Sequence, residues 1–251
     1  MSKITYELIP VKELKIEKYN RLINIADAKK KAAEWDENAV GLIVVSKRGN
    51  VYHIIDGQHR VYAANLLRKS ALMCQVIEGL TYEEEAALFV KLNKNRRGLL
   101  IFDYIKALHE AKDNKIMDLW DAVESVGFTI SNGGGHNKIQ AVKCLINIYE
   151  KLGKQQVVYV LKILRDVWAG DEKSLINLII DGMNEFIKTY QDEFNEMILI
   201  NHLKKVEPSK LVSLANSDMT NCSKKTKMAR AILYYYNYGL RTGRLKDKFT
   251  S

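Results

Sequence analysis

The apolar and polar positions change rhythm near residue 100 of this 251-residue chain. Before that point, short apolar runs alternate with stretches of helix formers. The clearest is Val51-Tyr52-His53-Ile54-Ile55, a β-branched and aromatic run that reads as a strand and is followed by Val61-Tyr62-Ala63-Ala64-Asn65-Leu66-Leu67, which reads as a helix. Beyond residue 100 the pattern is helical throughout. Segments from Phe102 to Lys112, Lys115 to Val126, Lys138 to Lys151, Lys154 to Trp168, Ser174 to Tyr190, Asn195 to Lys205, Pro208 to Ala215 and Lys225 to Leu240 all predict helices. Val157, Leu161, Leu164 and Trp168 keep a helical repeat, as do Leu175, Ile179, Met183, Phe186 and Tyr190. Pro208 follows a polar turn, at a position where a helix begins. The expected fold class is therefore α+β, a small mixed-sheet domain over residues 1–100 followed by an all-α domain over residues 101–251. No internal repeat or low-complexity linker divides the second half.

The junction between the first strand and helix carries Asp56-Gly57-Gln58-His59-Arg60. A polar, glycine-containing turn at a helix N-terminus presents unpaired N–H groups and the positive end of the dipole, which favour an anion such as phosphate. Asp56 is placed to act as N-cap, and Gly57 to make the tight turn. His59 and Arg60 then project from the first turn as a titratable ring beside a fixed cation. The plainer reading is a turn whose polar residues face solvent. A second constellation is Phe89-Val90-Lys91-Leu92-Asn93-Lys94-Asn95-Arg96-Arg97-Gly98. Phe89 and Leu92 have helical spacing, the helix is expected to stop near Asn95, and its end carries four cations. Lys91 and Lys94 complement the dipole there. The planar donors of Arg96 and Arg97 are suited to gripping phosphate.

At these residues the chain resembles the ParB/sulfiredoxin-like superfamily, in an uncharacterised branch with a helical C-terminal domain. Asp56-Gly57-Gln58-His59-Arg60 followed by alanines is similar to the family's Gly-x-x-Arg or Gly-x-His-Arg box. Ile9-Pro10-Val11 and Tyr19-Asn20-Arg21 resemble its opening strand and Asn-x-Arg segment, although no residue separates Asn20 from Arg21 here. Gly41-Leu42-Ile43-Val44-Val45 and Leu72-Met73-Cys74-Gln75-Val76-Ile77 resemble the flanking strands, and Thr81-Tyr82-Glu83-Glu84-Glu85-Ala86 the helix that follows. The resemblance spans residues 4 to 100. It implies a nucleotide- or phosphate-binding site made of Asp56, Gly57, Gln58, His59, Arg60, Asn93, Arg96 and Arg97. Members of that superfamily include CTP-binding DNA-segregation proteins, nucleases, an ATP-dependent sulfinic acid reductase and small-molecule kinases, so fold alone does not choose the activity. Sulfiredoxin chemistry is excluded, because Gln58 stands where those enzymes carry their cysteine.

Composition narrows the picture. With 47% hydrophobic residues the chain can build a core, and no apolar run approaches the length of a membrane span. The N-terminus lacks the pattern of a signal peptide. Three cysteines, Cys74, Cys144 and Cys222, are odd in number and lack metal-ligand spacing, which fits a reducing cytoplasm. No metal site is predicted. The formal charge of +9 favours polyanionic partners. The basic residues Lys224, Lys225, Lys227, Arg230, Arg241 and Arg244 flank Tyr234-Tyr235-Tyr236-Asn237-Tyr238, a mixture that can bind nucleic acid through charge and stacking. Against this, Met228, Ile232, Tyr235 and Leu240 fall near one stripe, as packing against a core would require. The helix pair around Gly127 loosely resembles a helix-turn-helix, but Phe128 to Asn137 is too long for its turn. Glu83, Glu84 and Glu85 read as a solvated helix start.

Two functional classes follow, beside a third in which the fold serves only as an interaction scaffold and binds no small molecule. In the first, the chain is a nucleotide- or nucleic-acid-binding regulator, self-associating as a homodimer and holding a nucleoside triphosphate with Mg²⁺ through the box. In the second, it is a metal-dependent nuclease, NTPase or phosphotransferase, with His59 as acid/base and Asp56 orienting it or a metal.

Overall fold

The computed structural model describes residues 3–93 and 100–249. The chain forms two compact units, Met1–Ile116 and Met117–Ser251. Helix Ile101–Glu110 thus falls in the first unit, beyond the residue-100 boundary expected from the change of texture.

The first unit is built on a five-stranded mixed sheet. Its strands are β1 (Lys3–Pro10), β2 (Leu14–Lys15), β3 (Ile43–Arg48), β4 (Val51–Asp56) and β5 (Ala71–Glu78), in the order β1-β5-β3-β4-β2. β1 runs antiparallel to β5 and β3 antiparallel to β4, whereas β3–β5 and β2–β4 are parallel. The expected opening strand stops earlier than its residues imply, since Val11–Glu13 is a 3₁₀ turn. Four helices join the sheet: α1 (Ile25–Ala33), α2 (Gln58–Leu66), α3 (Tyr82–Asn93) and α4 (Ile101–Glu110). α1 is capped by Asn24, whose side chain accepts from the N–H groups of Ala26 and Asp27.

Two apolar clusters form because the strands present alternate residues to helices on different sides. Ile9, Ile43, Val45, Ile54, Leu72, Cys74 and Val76 pack with Val61 and Ala64 of α2. Tyr19 and Ile55 pack with Ala86, Phe89 and Val90 of α3 and Ala107 of α4.

The second unit is helical apart from two two-residue strands, β6 (Thr129–Ile130) and β7 (Lys138–Ile139), paired in parallel. That pairing occupies the start of the helix expected from Lys138, which begins instead at Val142. A helix-turn-helix is not formed at this point: α5 (Asn114–Ser125) is followed by the strand pair. α6 (Val142–Trp168) is broken at Gly153, where φ of 81° and ψ of 177° leave the helical region, as the two separate expected segments require. There follow α7 (Asn177–Tyr190), α8 (Glu196–Leu203), α9 (Pro208–Ser217) and α10 (Lys224–Asn237). The two expected stripes are buried: Val157, Leu161 and Leu164 on α6, then Leu175 ahead of α7 with Ile179, Met183, Phe186 and Tyr190 along it. Trp168 is partly buried and donates its indole N–H to the Val206 carbonyl at 2.8 Å. α10 packs against α7, α8 and α9. Among the described residues no helix is long and apolar enough to cross a membrane.

Candidate functional site

The strand-to-helix junction forms as its residues predict, with one change. Gly57, and not Asp56, occupies the N-cap of α2, at φ of 101°, and no side chain caps the helix. A residue with a β-carbon is strained at that angle. The space is also taken: a Cβ at Gly57 would lie 2.8 Å from Ile43 Cδ1 and 3.0 Å from Arg60 Nη2.

Asp56 is engaged elsewhere. Arg60 Nη2 donates to its Oδ2 at 3.0 Å, one helical turn apart, and Nη1 donates to the Val40 carbonyl at 2.8 Å. Arg60 therefore ties the box to the segment before β3. His59 is buried, and its Nε2 accepts the N–H of Asn24 at 3.2 Å, so the ring is held by the N-cap of α1. Burial, and after it the charge of Arg21, hold the His59 pKa below its ordinary value, with a smaller push from Lys31 against the pull of Asp27. The neutral ring suits its acceptor role. Gln58 is buried too. Its Nε2 donates to the Arg21 carbonyl at 3.0 Å, while its Oε1 is enclosed with no hydrogen-bond partner among the described residues.

These residues surround a cavity of about 360 Å³. Asp56, Gly57, Gln58, His59, Arg60 and Asn93 all line it, so six of the eight residues expected at the site share one wall system. Asn93 sits at the end of α3, where its amide donates back to the Phe89 carbonyl at 2.8 Å. Arg96 and Arg97 lie outside the described residues. Arg21 and Lys31 also line the cavity and were not singled out from sequence as ligand contacts.

A charged network lies in the same unit. Glu85, fully buried, accepts from Arg48 Nε at 2.7 Å, and Arg48 Nη2 donates to Glu17 at 2.7 Å. Glu17 also lies 2.7 Å from His53 Nδ1. Tyr19 donates to the Ile54 carbonyl and approaches Glu85 Oε2 at 3.4 Å. The expectation of three solvated glutamates is thus corrected for Glu85, whose turn of α3 faces the sheet.

In the second unit, a cavity of about 480 Å³ is lined by Lys227, Arg230, Tyr234, Tyr238 and Arg244, among others. Most of its charge is internally balanced. Arg230 pairs with Asp218 at 3.0 Å and Asp247 at 3.1 Å, Lys227 donates to the Asp218 carbonyl at 2.7 Å, and Lys225 outside the cavity pairs with Glu185 at 2.8 Å. Lys224, Arg241 and Arg244 are exposed. Met228, Ile232 and Tyr236 are buried, Tyr235 is only half-buried, and Leu240 lies beyond the helix. Among the described residues no three His, Cys, Asp or Glu side chains converge as a metal site.

One family model matches residues 14–249, nearly the whole chain. The chain belongs to DUF6551, a family of unknown function. No curated protein matches this DUF6551 chain. Among solved structures it is similar to the Pnob8-like ParB N-domain, at 16% identity and TM-score 0.43, over 92% of this chain and 99% of that one. It is also similar to C-terminally truncated chromosome-partitioning protein ParB from Caulobacter crescentus. The form complexed to the centromeric parS site matches at 13% identity and TM-score 0.36, over 90% of this chain and 98% of that one. The form complexed with CTP-gamma-S matches at 13% and 0.34, over 63% and 97%.

Proposed function

We propose that this DUF6551 chain is a ParB-like nucleotide- and/or DNA-binding regulator, with phosphate held at the Asp56–Arg60 box. The observation that carries the reading is the cavity itself, into which the uncapped N-terminus of α2, Arg21 and Lys31 all converge. Backbone N–H groups and the dipole supply one part of an anion site, and the two cations supply the other. In this reading Arg60 positions the turn, while Arg21 and Lys31 meet the charge. Asn93 closes the far side, and Arg96 and Arg97 follow it in sequence. A divalent ion would arrive with a triphosphate rather than on a protein cage. Binding is favoured over turnover because His59 Nε2 is already engaged and Asp56 serves Arg60 rather than the ring.

The test is thermal stabilisation of the full chain by CTP, ATP, GTP, UTP and short duplex DNA, with and without Mg²⁺. A ligand at about a hundred times its Kd adds roughly 2.7 kcal/mol to the folded state. We expect a shift with a nucleotide, and a loss of at least about tenfold in affinity for Arg21→Ala, the scale of a charged hydrogen bond. A parent protein unmoved by every nucleotide and by DNA, or an Arg21→Ala, Lys31→Ala double variant that binds as well as the parent, overturns the assignment.

A further inference from the structure

We propose that β1 is a homodimer interface, across which two copies of the chain join their sheets through antiparallel β1–β1 pairing. β1 is the edge strand of the five-stranded sheet, with β5 on one side and no strand on the other among the described residues. The strand is eight residues long, and its chemistry is divided by face. Ile9 points into the core at 3% exposure, whereas Ile4, Tyr6 and Leu8 lie on the other face at 51%, 64% and 66%. Met73 of β5, directly opposite Leu8, continues this apolar face. A row of large exposed apolar side chains along an open edge marks an association surface more often than a solvated one.

The open edge has usable hydrogen-bonding groups. Val11 N–H donates to Ser70 O at 3.1 Å on the β5 side. An antiparallel ladder alternates, so Ile9, Glu7, Thr5 and Lys3 turn their amides to β5, and Ile4, Tyr6 and Leu8 turn theirs outward. Pro10, which has no N–H to offer, falls on the outward set at the end of the strand.

Charge selects both the occupant and the register. A two-fold axis beside Thr5 sets Thr5 against the second copy's Thr5, Ile4 against its Tyr6, and Lys3 against its Glu7. Both Lys–Glu pairs then fall at non-hydrogen-bonded positions, where facing side chains come closest. The Ile4–Tyr6 pairs fall at hydrogen-bonded positions, joined by the outward amides. Sliding the axis to Glu7 would place Glu7 against Glu7. An isologous contact needs a strand complementary to itself, and β1 meets that condition with the axis beside Thr5.

Sedimentation velocity on the full chain tests this, with far-UV circular dichroism confirming that each variant folds. The parent should dimerise in a concentration-dependent way. Lys3→Glu and Glu7→Lys should each weaken the dimer by at least about tenfold, because two attractive cross-strand pairs become repulsive. An equimolar mixture of the two variants should recover the dimer, since every facing pair is again opposite in charge. Thr5→Cys should yield an oxidised, disulfide-linked dimer that the parent does not form under the same conditions. A parent that stays monomeric, single variants that dimerise as well as the parent, a mixture that stays monomeric, or no cross-link through Thr5→Cys would each overturn the proposal.

Discussion

Gly57→Ala perturbs the turn on which the cavity is built, and its cost can be worked from the backbone and the space around it. At φ of 101° an L-residue is disfavoured by about 1–2 kcal/mol. The new methyl would also meet Ile43 Cδ1 at 2.8 Å and Arg60 Nη2 at 3.0 Å. Ile43 is fully buried beneath the turn, so its methyl has little room to withdraw, and overpacking of this kind costs about 1–3 kcal/mol. The total is about 2–5 kcal/mol, and at roughly 4 °C or more per kcal/mol the midpoint falls by at least about 8 °C. Gly49→Ala provides the control in the same unit. It sits at φ of 60° with nothing within 4 Å of an added Cβ, so it carries the backbone cost alone. Urea denaturation and calorimetry of the two variants should separate them by the packing contribution. Equal destabilisation would refute the close approach of Ile43 and Arg60 to the turn.

Removing one partner of the buried ion network has a comparable cost: Glu85→Ala leaves Arg48 with Glu17 alone and should lose about 3 kcal/mol in urea unfolding. Glu83→Ala, two residues away in an exposed pair with Lys112, should leave stability almost unchanged in the same assay. Gly182→Ala brings a Cβ within 2.1 Å of Met228 Cγ and 2.5 Å of its Cβ where α7 meets α10, so despite better helix propensity it should lower the melting temperature, by about 1–3 kcal/mol of stability. Because the folded state holds the His59 pKa down, the unfolded chain takes up that proton first. Stability should fall as pH drops below the ordinary histidine value of about 6.5, and His59→Gln should flatten the slope between about pH 7 and 5.

The parts of the fold that could be read in the sequence were those with a single local cause. β4 and α2 follow from a β-branched run and an alanine-rich one, and the stripes of α6 and α7 from residues at helical spacing. The box residues were found for the same reason: Asp56 to Arg60 are contiguous at a strand-to-helix boundary. What escaped notice depends on distant segments. Glu85 is separated from Arg48 by 37 residues, and nothing in the run Glu83-Glu84-Glu85 distinguishes the member that turns inward. Arg21 and Lys31 reach the cavity because Gln58 and His59 bind the backbone of Arg21 and Asn24, contacts without a sequence pattern. Asp56 had the composition of an N-cap, but pairing with Arg60 one turn later took its carboxylate, leaving the cap to Gly57. The strand pair β6–β7 was missed since two residues are too few to show an alternation.

The Glu17–Arg48–Glu85 link ties together the segment before α1, β3 and α3, and it constrains how the family can drift. A single change at any of the three leaves a charge facing a partner that is no longer there. The positions should therefore be inherited as a set: a relative in which apolar residues have replaced both Glu17 and Glu85 should also have given up the arginine at position 48, and one that keeps Arg48 should keep at least one carboxylate to meet it.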